Sequence, residues 1–249
     1  MKQILVFVSV VLVPAVALAQ DAPKKPDKPK YETRREYDPN GINKFYMGRQ
    51  IALVMGHSAA DWLDRPEREM EEQPAKLLPL LKLKEGDAVA DIGAGSGFYT
   101  FRLSPLVGEK GKIYAVDIQK EMLDLIKQRA KAKQITNVEP VMGKISDPKL
   151  PDSAIDLILM VDVYHEFSHP FEMTEAMVKS LKPGGRIVFV EFRLEDETVP
   201  IKLVHKMSEK QVIKEMGVFP QLKHTKTHAE LPWQHVIVFE KKSDEKKEK

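Results

Sequence analysis

Residues 88–97 read Ala88-Val-Ala-Asp-Ile-Gly-Ala-Gly-Ser-Gly97, and a second apolar run, Ile113-Tyr-Ala-Val116, ends in Asp117. The first run predicts a short buried strand from Ala88 to Ile92. Gly93, Gly95 and Gly97 then lack β-carbons, which lets backbone and ligand approach closely before a helix begins near Phe98. An acid closing the neighbouring strand, Asp117, is placed to accept two hydroxyls of a ribose. The glycine spacing discriminates between nucleotide sites. A dinucleotide fingerprint, Gly-x-Gly-x-x-Gly, would need its third glycine at 98, where the chain has Phe. This argues against a nicotinamide-dependent oxidoreductase.

Outward from this stretch, strands and helices alternate, which implies a parallel sheet covered on both faces. The expected strands are Ala88 to Ile92, Lys112 to Val116, Val138 to Met142, Ile155 to Val161 and Arg186 to Phe192. Helical spacing fills residues 97–107, 120–133 and 171–181, the last closed by Lys182-Pro-Gly-Gly185 as a stop and turn. A further helix opens at Ser208, which forms a capping-box pattern with Gln211, and ends at Gly217. Two alternating stretches, 221–228 and 235–240, are expected to close the fold as a hairpin. On the amino-terminal side, apolar residues between Asn43 and Leu83 fall at helical spacing interrupted by Pro66, Pro74 and Pro79, which predicts two or three short helices.

Composition bounds the partners. The 249 residues carry a formal charge of +2, but the basic excess sits at the ends: six Lys or Arg against four acids in 21–36, and five Lys against three acids in 241–249. The stretch between them is slightly acidic, so no nucleic-acid partner is expected. Lys2, the apolar run Ile4 to Leu18 and Ala17-Leu-Ala19 make residues 1–20 a secretory signal peptide, cleaved after Ala19 or Gln20. The expected location is periplasmic or secreted, without stable membrane insertion once the signal is removed. There is no cysteine, hence no disulfide and no lipid attachment at a lipobox. Residues 21–36 are expected to be a disordered Lys/Pro-rich linker and 241–249 a disordered charged tail. Residues 37–240 form one domain, with a helical lid over 37–84 and the alternating core over 85–240. Its oligomeric state is left open.

The loop Asp91-Ile-Gly-Ala-Gly-Ser-Gly97, Asp117, the turn Leu181-Lys-Pro-Gly-Gly-Arg-Ile187 and the terminal hairpin together resemble the class I S-adenosylmethionine-dependent methyltransferases. Asp162-Val-Tyr-His-Glu-Phe167 is similar to the ubiquinone and menaquinone methyltransferase subgroup. The resemblance implies a Rossmann-like α/β fold with a mostly parallel seven-stranded sheet, helices on both faces and a C-terminal antiparallel hairpin. It implies S-adenosyl-L-methionine as cofactor and a small-molecule methyl acceptor. Its cofactor would be lined by Asp91, Gly93, Ala94, Gly95, Gly97, Asp117, Ile118, Lys144, Ile145 and Asp162. One position departs from the pattern: where the family often has Gly-Asp-Ala after the third strand, this chain has Gly143-Lys-Ile145. Adenine would then be recognised by the backbone of Lys144 and Ile145, or by Asp147 nearby.

Methyl transfer from a sulfonium needs proximity and a dry pocket more than a catalytic group. A hydroxyl or acidic-carbon acceptor would still gain from a base, and His165, flanked by Tyr164 and Glu166, stands where one is expected. The bland reading is that His165 only caps its strand. His165-Glu-Phe-Ser-His169 also matches the zinc-protease pattern His-Glu-x-x-His, but a strand precedes it and Pro170 pushes His169 out of helical geometry. A looser metal site using these His with Asp162 or Glu166 has no third ligand at a telling spacing, so no metal is expected. Two further constellations, Glu191-Phe-Arg193 with Glu195-Asp-Glu197 and His205-Lys-Met207, and Asp64-Arg-Pro-Glu-Arg68, read equally well as pocket or as solvated connection. The same fold serving as a non-catalytic S-adenosylmethionine or nucleoside binder is the alternative.

Overall fold

The computed structural model describes residues 28–243. The expected signal peptide, most of the linker and most of the charged tail lie outside the described residues. A seven-stranded sheet forms the centre. Its parallel strands are β4 (Ala88–Ile92), β5 (Lys112–Asp117), β6 (Val138–Met142), β7 (Ile155–Val161) and β8 (Leu181–Phe192). Antiparallel to β8 runs β10 (Gln234–Lys241), itself paired with β9 (Leu222–His228). The spatial order is β6-β5-β4-β7-β8-β10-β9, so the chain winds one way from β4 to β6 and the other way from β7 onward. Ligands in open α/β sheets collect outside the carboxyl ends of the strands at such a reversal. Here those ends are Ile92 and Val161.

Pleating explains why both faces are covered. In β7, Ile158 and Met160 point to one face while Leu157 and Leu159 point to the other, and all four are fully buried. On the first face, α6 (Pro170–Ser180) and α7 (Glu209–Met216) contribute Phe171, Met173, Met177, Val212 and Met216. On the second, α3 (Pro74–Leu80) and α4 (Thr100–Val107) contribute Leu77, Leu103 and Val107. Helix α5 (Lys120–Ala132) packs Ile126 against Ala115 of β5.

The amino-terminal region differs from its expected helices. β1 (Tyr31–Glu32), β2 (Gly41–Tyr46) and β3 (Arg49–Ala52) form a small antiparallel sheet, and helices start only at 57, followed by α1 (Ala60–Leu63) and α2 (Arg68–Glu71). The physical reason is the two-residue turn Met47-Gly48. Both residues have positive φ, 50° and 103°, and join Tyr46 to its partner Arg49, the geometry that favours a tight hairpin. Tyr46 and Ile51 are then buried in the first-face core rather than along a helix stripe. The linker also orders earlier than expected: Tyr31 pairs with Tyr46, and its hydroxyl donates to Glu172 Oε2 at 2.6 Å.

Three smaller differences have local causes. Lys182-Pro-Gly-Gly185 does not separate helix from strand. β8 begins at Leu181, and the turn is taken up as an irregularity between the pairs Ile155–Leu181 and Leu157–Arg186, with Gly184 at φ 75°. Helix α4 opens at Thr100, because the loop turn continues through Phe98 and Tyr99. Only half of the capping box forms. Ser208 Oγ accepts from the Gln211 N–H at 3.1 Å, but the Gln211 amide turns away to Glu215 at 2.7 Å.

Candidate active site

The loop after β4 is held by the strand beside it. The N–H groups of Gly93 and Ala94 both donate to the carbonyl of Val116 (2.8 and 3.0 Å), and the Gly95 N–H donates to Asp117 Oδ2 at 2.9 Å. Glycine is needed here for backbone shape and for room against protein side chains. Gly93, Gly95 and Gly97 have φ of 71°, 54° and 83°. A β-carbon on Gly93 would lie 2.4 Å from Val163, and one on Gly95 2.6 Å from Leu63. At Gly97 it would meet the Phe101 ring at 2.6 Å, so that glycine serves helix packing. Asp117 Oδ1 accepts from the Gln119 N–H at 2.9 Å. Burial raises its pKa against the pull of these backbone donors.

Above this loop lies a cavity of about 520 Å³, within the range of small-molecule and cofactor sites. Of the residues expected at the cofactor, Gly93, Gly95, Asp117, Ile118, Lys144, Ile145 and Asp162 line it. Asp91, Ala94 and Gly97 do not. Asp91 sits behind the loop, where Thr100 Oγ1 donates to its Oδ2 at 2.6 Å and burial pushes its pKa up to about 6. Asp147 does not face the cavity either. Its carboxylate pairs with Lys149 at 2.5 Å, and its carbonyl takes the Lys144 N–H at 2.8 Å, which removes one backbone donor expected for adenine.

Asp162, at the carboxyl end of β7, has φ 51°, an unusual conformation for a non-glycine residue. Gln234 Nε2 donates to its Oδ2 at 2.6 Å, while Oδ1 is buried without a hydrogen-bond partner in the protein. Burial, with Glu72 and Glu191 nearby, holds this carboxyl's pKa well above the usual range. An unpaired buried oxygen beside a cavity is a place for a cationic or hydrogen-bond-donating group.

The opposite end of the cavity is built around His165, on the short 3₁₀ turn Tyr164–Glu166. His165 Nδ1 donates to Glu191 Oε2 at 2.6 Å, and Glu191 Oε1 accepts the Tyr164 N–H at 3.0 Å. Glu191 is fully buried and fixes the tautomer, leaving Nε2 as the lone-pair nitrogen. His205 Nδ1 lies 3.2 Å from His165 Nε2. Burial and the neighbouring His165 bring the His205 pKa down to about 4, so its ring is neutral at pH 7. Glu166 accepts from the Met55 N–H at 3.2 Å, and burial raises its pKa to about 7.

Tyr164 is not at the cavity. Its hydroxyl donates to Glu215 Oε2 at 2.7 Å, and Arg49 forks onto the same carboxylate at 2.6 and 3.1 Å. Arg49 Nη1 also donates to the His165 carbonyl at 3.1 Å, so this buried network anchors the turn that carries His165. His169 is likewise turned away, beside Ser168 and the Tyr31 ring.

The Asp64–Arg68 run roofs the cavity. Trp62, Leu63 and Arg68 line it, and Asp64 Oδ1 accepts from Ser96 Oγ in the glycine loop at 2.8 Å. Arg129 of α5 bridges the same pair, reaching Asp64 Oδ2 and the Ser96 carbonyl at 2.8 Å each. Sequence reasoning missed Arg49, Met55, Arg129 and Glu215 because each reaches the site only through tertiary contact. His205 and Glu191 lay in runs that read equally well as solvated loop.

The methyltransferase domain family matches residues 83–247. This chain belongs to that family. Its fold is that of the class I enzymes, and its cofactor is S-adenosylmethionine. A S-adenosylmethionine-dependent methyltransferase from Aquifex aeolicus superimposes with a TM-score of 0.70 at 28% identity, covering 75% of this chain and 99% of that one. The ubiquinone/menaquinone biosynthesis C-methyltransferase of Vibrio vulnificus is 31% identical over 110 residues, 44% of this chain and 42% of that protein. The demethylmenaquinone methyltransferase of a Geobacillus strain is 26% identical over 111 residues, 45% of this chain and 47% of that one. The chain thus matches under half the length of these curated relatives.

Proposed function

We propose that this chain is an exported methyltransferase that moves the methyl group of S-adenosylmethionine to a small-molecule acceptor held against His165. One observation carries this reading: a single cavity reaches from Asp117 to His165 and Glu166. The export part rests on Lys2, the apolar run 4–18 and Ala17-Leu-Ala19. Among the described residues no helix is long and apolar enough to cross a membrane.

The residues present suit the cofactor. Asp117 offers a carboxylate, already squared up by two backbone donors, for the ribose hydroxyls. Ile118, Met122 and Ile145 supply apolar walls for the adenine ring. The unpaired Oδ1 of Asp162 suits the ammonium of the methionine part. When bound, the cofactor supplies an activated methyl carbon whose bond to sulfur breaks as the bond to the acceptor forms. The protein's own part is then to align the acceptor and take its proton. His165 Nε2 carries the lone pair for that proton once the acceptor displaces the His205 Nδ1–H that faces it at 3.2 Å, with Glu191 as the positioning residue that stabilises the resulting imidazolium. Val54, Met55, Phe167 and Phe192 add apolar lining to the same cavity.

Calorimetry on the full chain with S-adenosylmethionine, its demethylated product and NAD tests this reading. The first two should bind and NAD should not; absence of binding by both would overturn it. Mass spectrometry of hydroxyl-bearing acceptors should show one added methyl group. Tight binding with no turnover across the panel would turn the assignment to the non-catalytic binder.

A further inference from the structure

The acceptor end of the cavity holds more ligating atoms than a base requires. His165, Glu166 and His205 each offer one ligand atom, and the three atoms lie within 4.8 Å of one another. His165 Nε2 and His205 Nδ1 are 3.2 Å apart, and His205 Nδ1 is 3.9 Å from Glu166 Oε1. A tetrahedral ion with ligands at 2.0–2.1 Å sets its ligand atoms roughly 3.3–3.4 Å apart. The two imidazoles already stand near that separation, and the Glu166 carboxylate, within 4.8 Å of both, would move inward to complete the set.

We infer that His165 Nε2, His205 Nδ1 and the Glu166 carboxylate form a binding site for a divalent first-row transition metal ion, with its open positions facing the acceptor space. The inference rests on the proposed methyltransferase reading and assigns the activating role at the same site.

Four observations support it. The Nδ1–H of His165 is engaged by the buried Glu191, the carboxylate–histidine arrangement that fixes a metal-ligating tautomer and raises its basicity. Glu191 is itself held by the Tyr164 N–H, so that outer layer is complete. Two imidazoles and one carboxylate are a donor set for zinc, manganese or iron, and they leave room for further ligands. All three ligand-bearing residues line the cavity. An ion held here would occupy the His165 Nε2 lone pair, so the activating role passes from base to Lewis acid: the ion would bind an oxygen of the acceptor and lower that hydroxyl's pKa, its proton leaving to solvent.

Sequence spacing could not show this site, because the third ligand lies forty residues beyond His165 on a separate loop. The zinc-protease pattern pointed to His169, which the structure turns elsewhere.

The test uses the full chain freed of metal with a chelator and titrated by calorimetry with Zn²⁺ and Mn²⁺, with Mg²⁺ as the hard-ion control. One Zn²⁺ or Mn²⁺ per chain should bind in preference to Mg²⁺. His205→Gln should remove saturable binding, Glu191→Gln should weaken it roughly 10–100-fold, and His224→Ala on β9 should leave it unchanged. A Co²⁺-loaded sample should show visible ligand-field absorption that His205→Gln abolishes, which reads the ligand set directly. No binding by the unmodified chain, or equal binding by His205→Gln, overturns the inference. S-adenosylmethionine affinity measured on the same samples keeps the two readings apart. Cofactor binding and methyl transfer that persist in chelator, with no metal bound, overturn the metal site and leave His165 as a base.

Discussion

The two ends of the cavity are made differently. The framework of the Asp117 end comes from one contiguous run, 88–119, in which strand, loop and strand are fixed to each other by hydrogen bonds of the backbone, with Met122, Ile145 and Asp162 added from outside it. The His165 end is assembled from Met55, the 164–166 turn, Glu191 and His205, which meet only when the sheet, the amino-terminal hairpin and the loop before α7 have packed. On the proposed function this is a division of labour: backbone shape, which tolerates little change, would hold the cofactor, and side chains on separate connections would define the acceptor.

If that division is right, changes at the two ends should separate in kinetics. His165→Gln removes the imidazole nitrogen that faces the acceptor. It should lower kcat by roughly 10²–10⁴-fold, the range for a lost acid–base group, with S-adenosylmethionine affinity within about twofold. Isothermal calorimetry and turnover on one preparation check it; a parallel loss of cofactor affinity would mean that the two ends are one unit.

The next effect is on stability. Asp91 has its folded-state pKa raised from the ordinary 3.8 to about 6 by burial. Below pH 4 it is protonated whether folded or unfolded. Between pH 4 and 6 only the folded chain holds the proton, so stability falls as pH rises, by about 3 kcal/mol from this group. Above pH 6 that loss is complete. Asp91→Asn keeps an acceptor for Thr100 and cannot ionise. Denaturant unfolding at pH 4.5 and 7 should show a smaller drop in the variant than in the unmodified chain, and equal drops would show that Asp91 ionises freely behind the loop.

At the cofactor end, Asp117→Ala removes charged acceptors from both the ribose and the Gly95 N–H. Loss of a hydrogen bond to a charged group is worth about 1.5–3 kcal/mol, so affinity for S-adenosylmethionine should fall roughly 10–100-fold. Turnover at saturating cofactor should hold, the reverse of the His165 result.

The same division explains what was legible in the sequence. The central strands could be read because β-period apolar runs and glycine punctuation are local signals, and β4, β6 and β7 begin and end where those signals do. The hairpin over 41–52 was hidden because its turn is Met47-Gly48, a less common pair than Asn-Gly, and its apolar residues also fit helical spacing. Asp117 was legible from its register at the end of a strand. Tyr164 was drawn into the site by adjacency to His165, although a 3₁₀ turn points neighbouring side chains in different directions. His205 could have been found only by knowing that the loop after β8 folds back over β3 and the 164–166 turn.

The smallest expected effect lies at the roof, where Asp64 clasps the glycine loop. Asp64 joins Ser96 of the glycine loop and Arg129 of α5, and Leu63 beside it covers Gly95. The Asp64 and Arg129 side chains are each about one-third exposed, 29% and 32%, so solvent screens their attraction, and such a pair is worth about 0.2–1 kcal/mol. The hydrogen bond to Ser96 adds a comparable amount. Asp64→Ala should therefore weaken S-adenosylmethionine binding only a few-fold, and mainly through faster release, because the clasp holds a roof already seated by Trp62 and Leu63. The ionic part should fade in high salt, so the gap between variant and unmodified chain should narrow as salt is raised. Stopped-flow release measured at two salt concentrations would show this. A gap that does not narrow would assign the clasp to the neutral Ser96 bond, and a loss as large as that of Asp117→Ala would make the roof part of the rigid cofactor end.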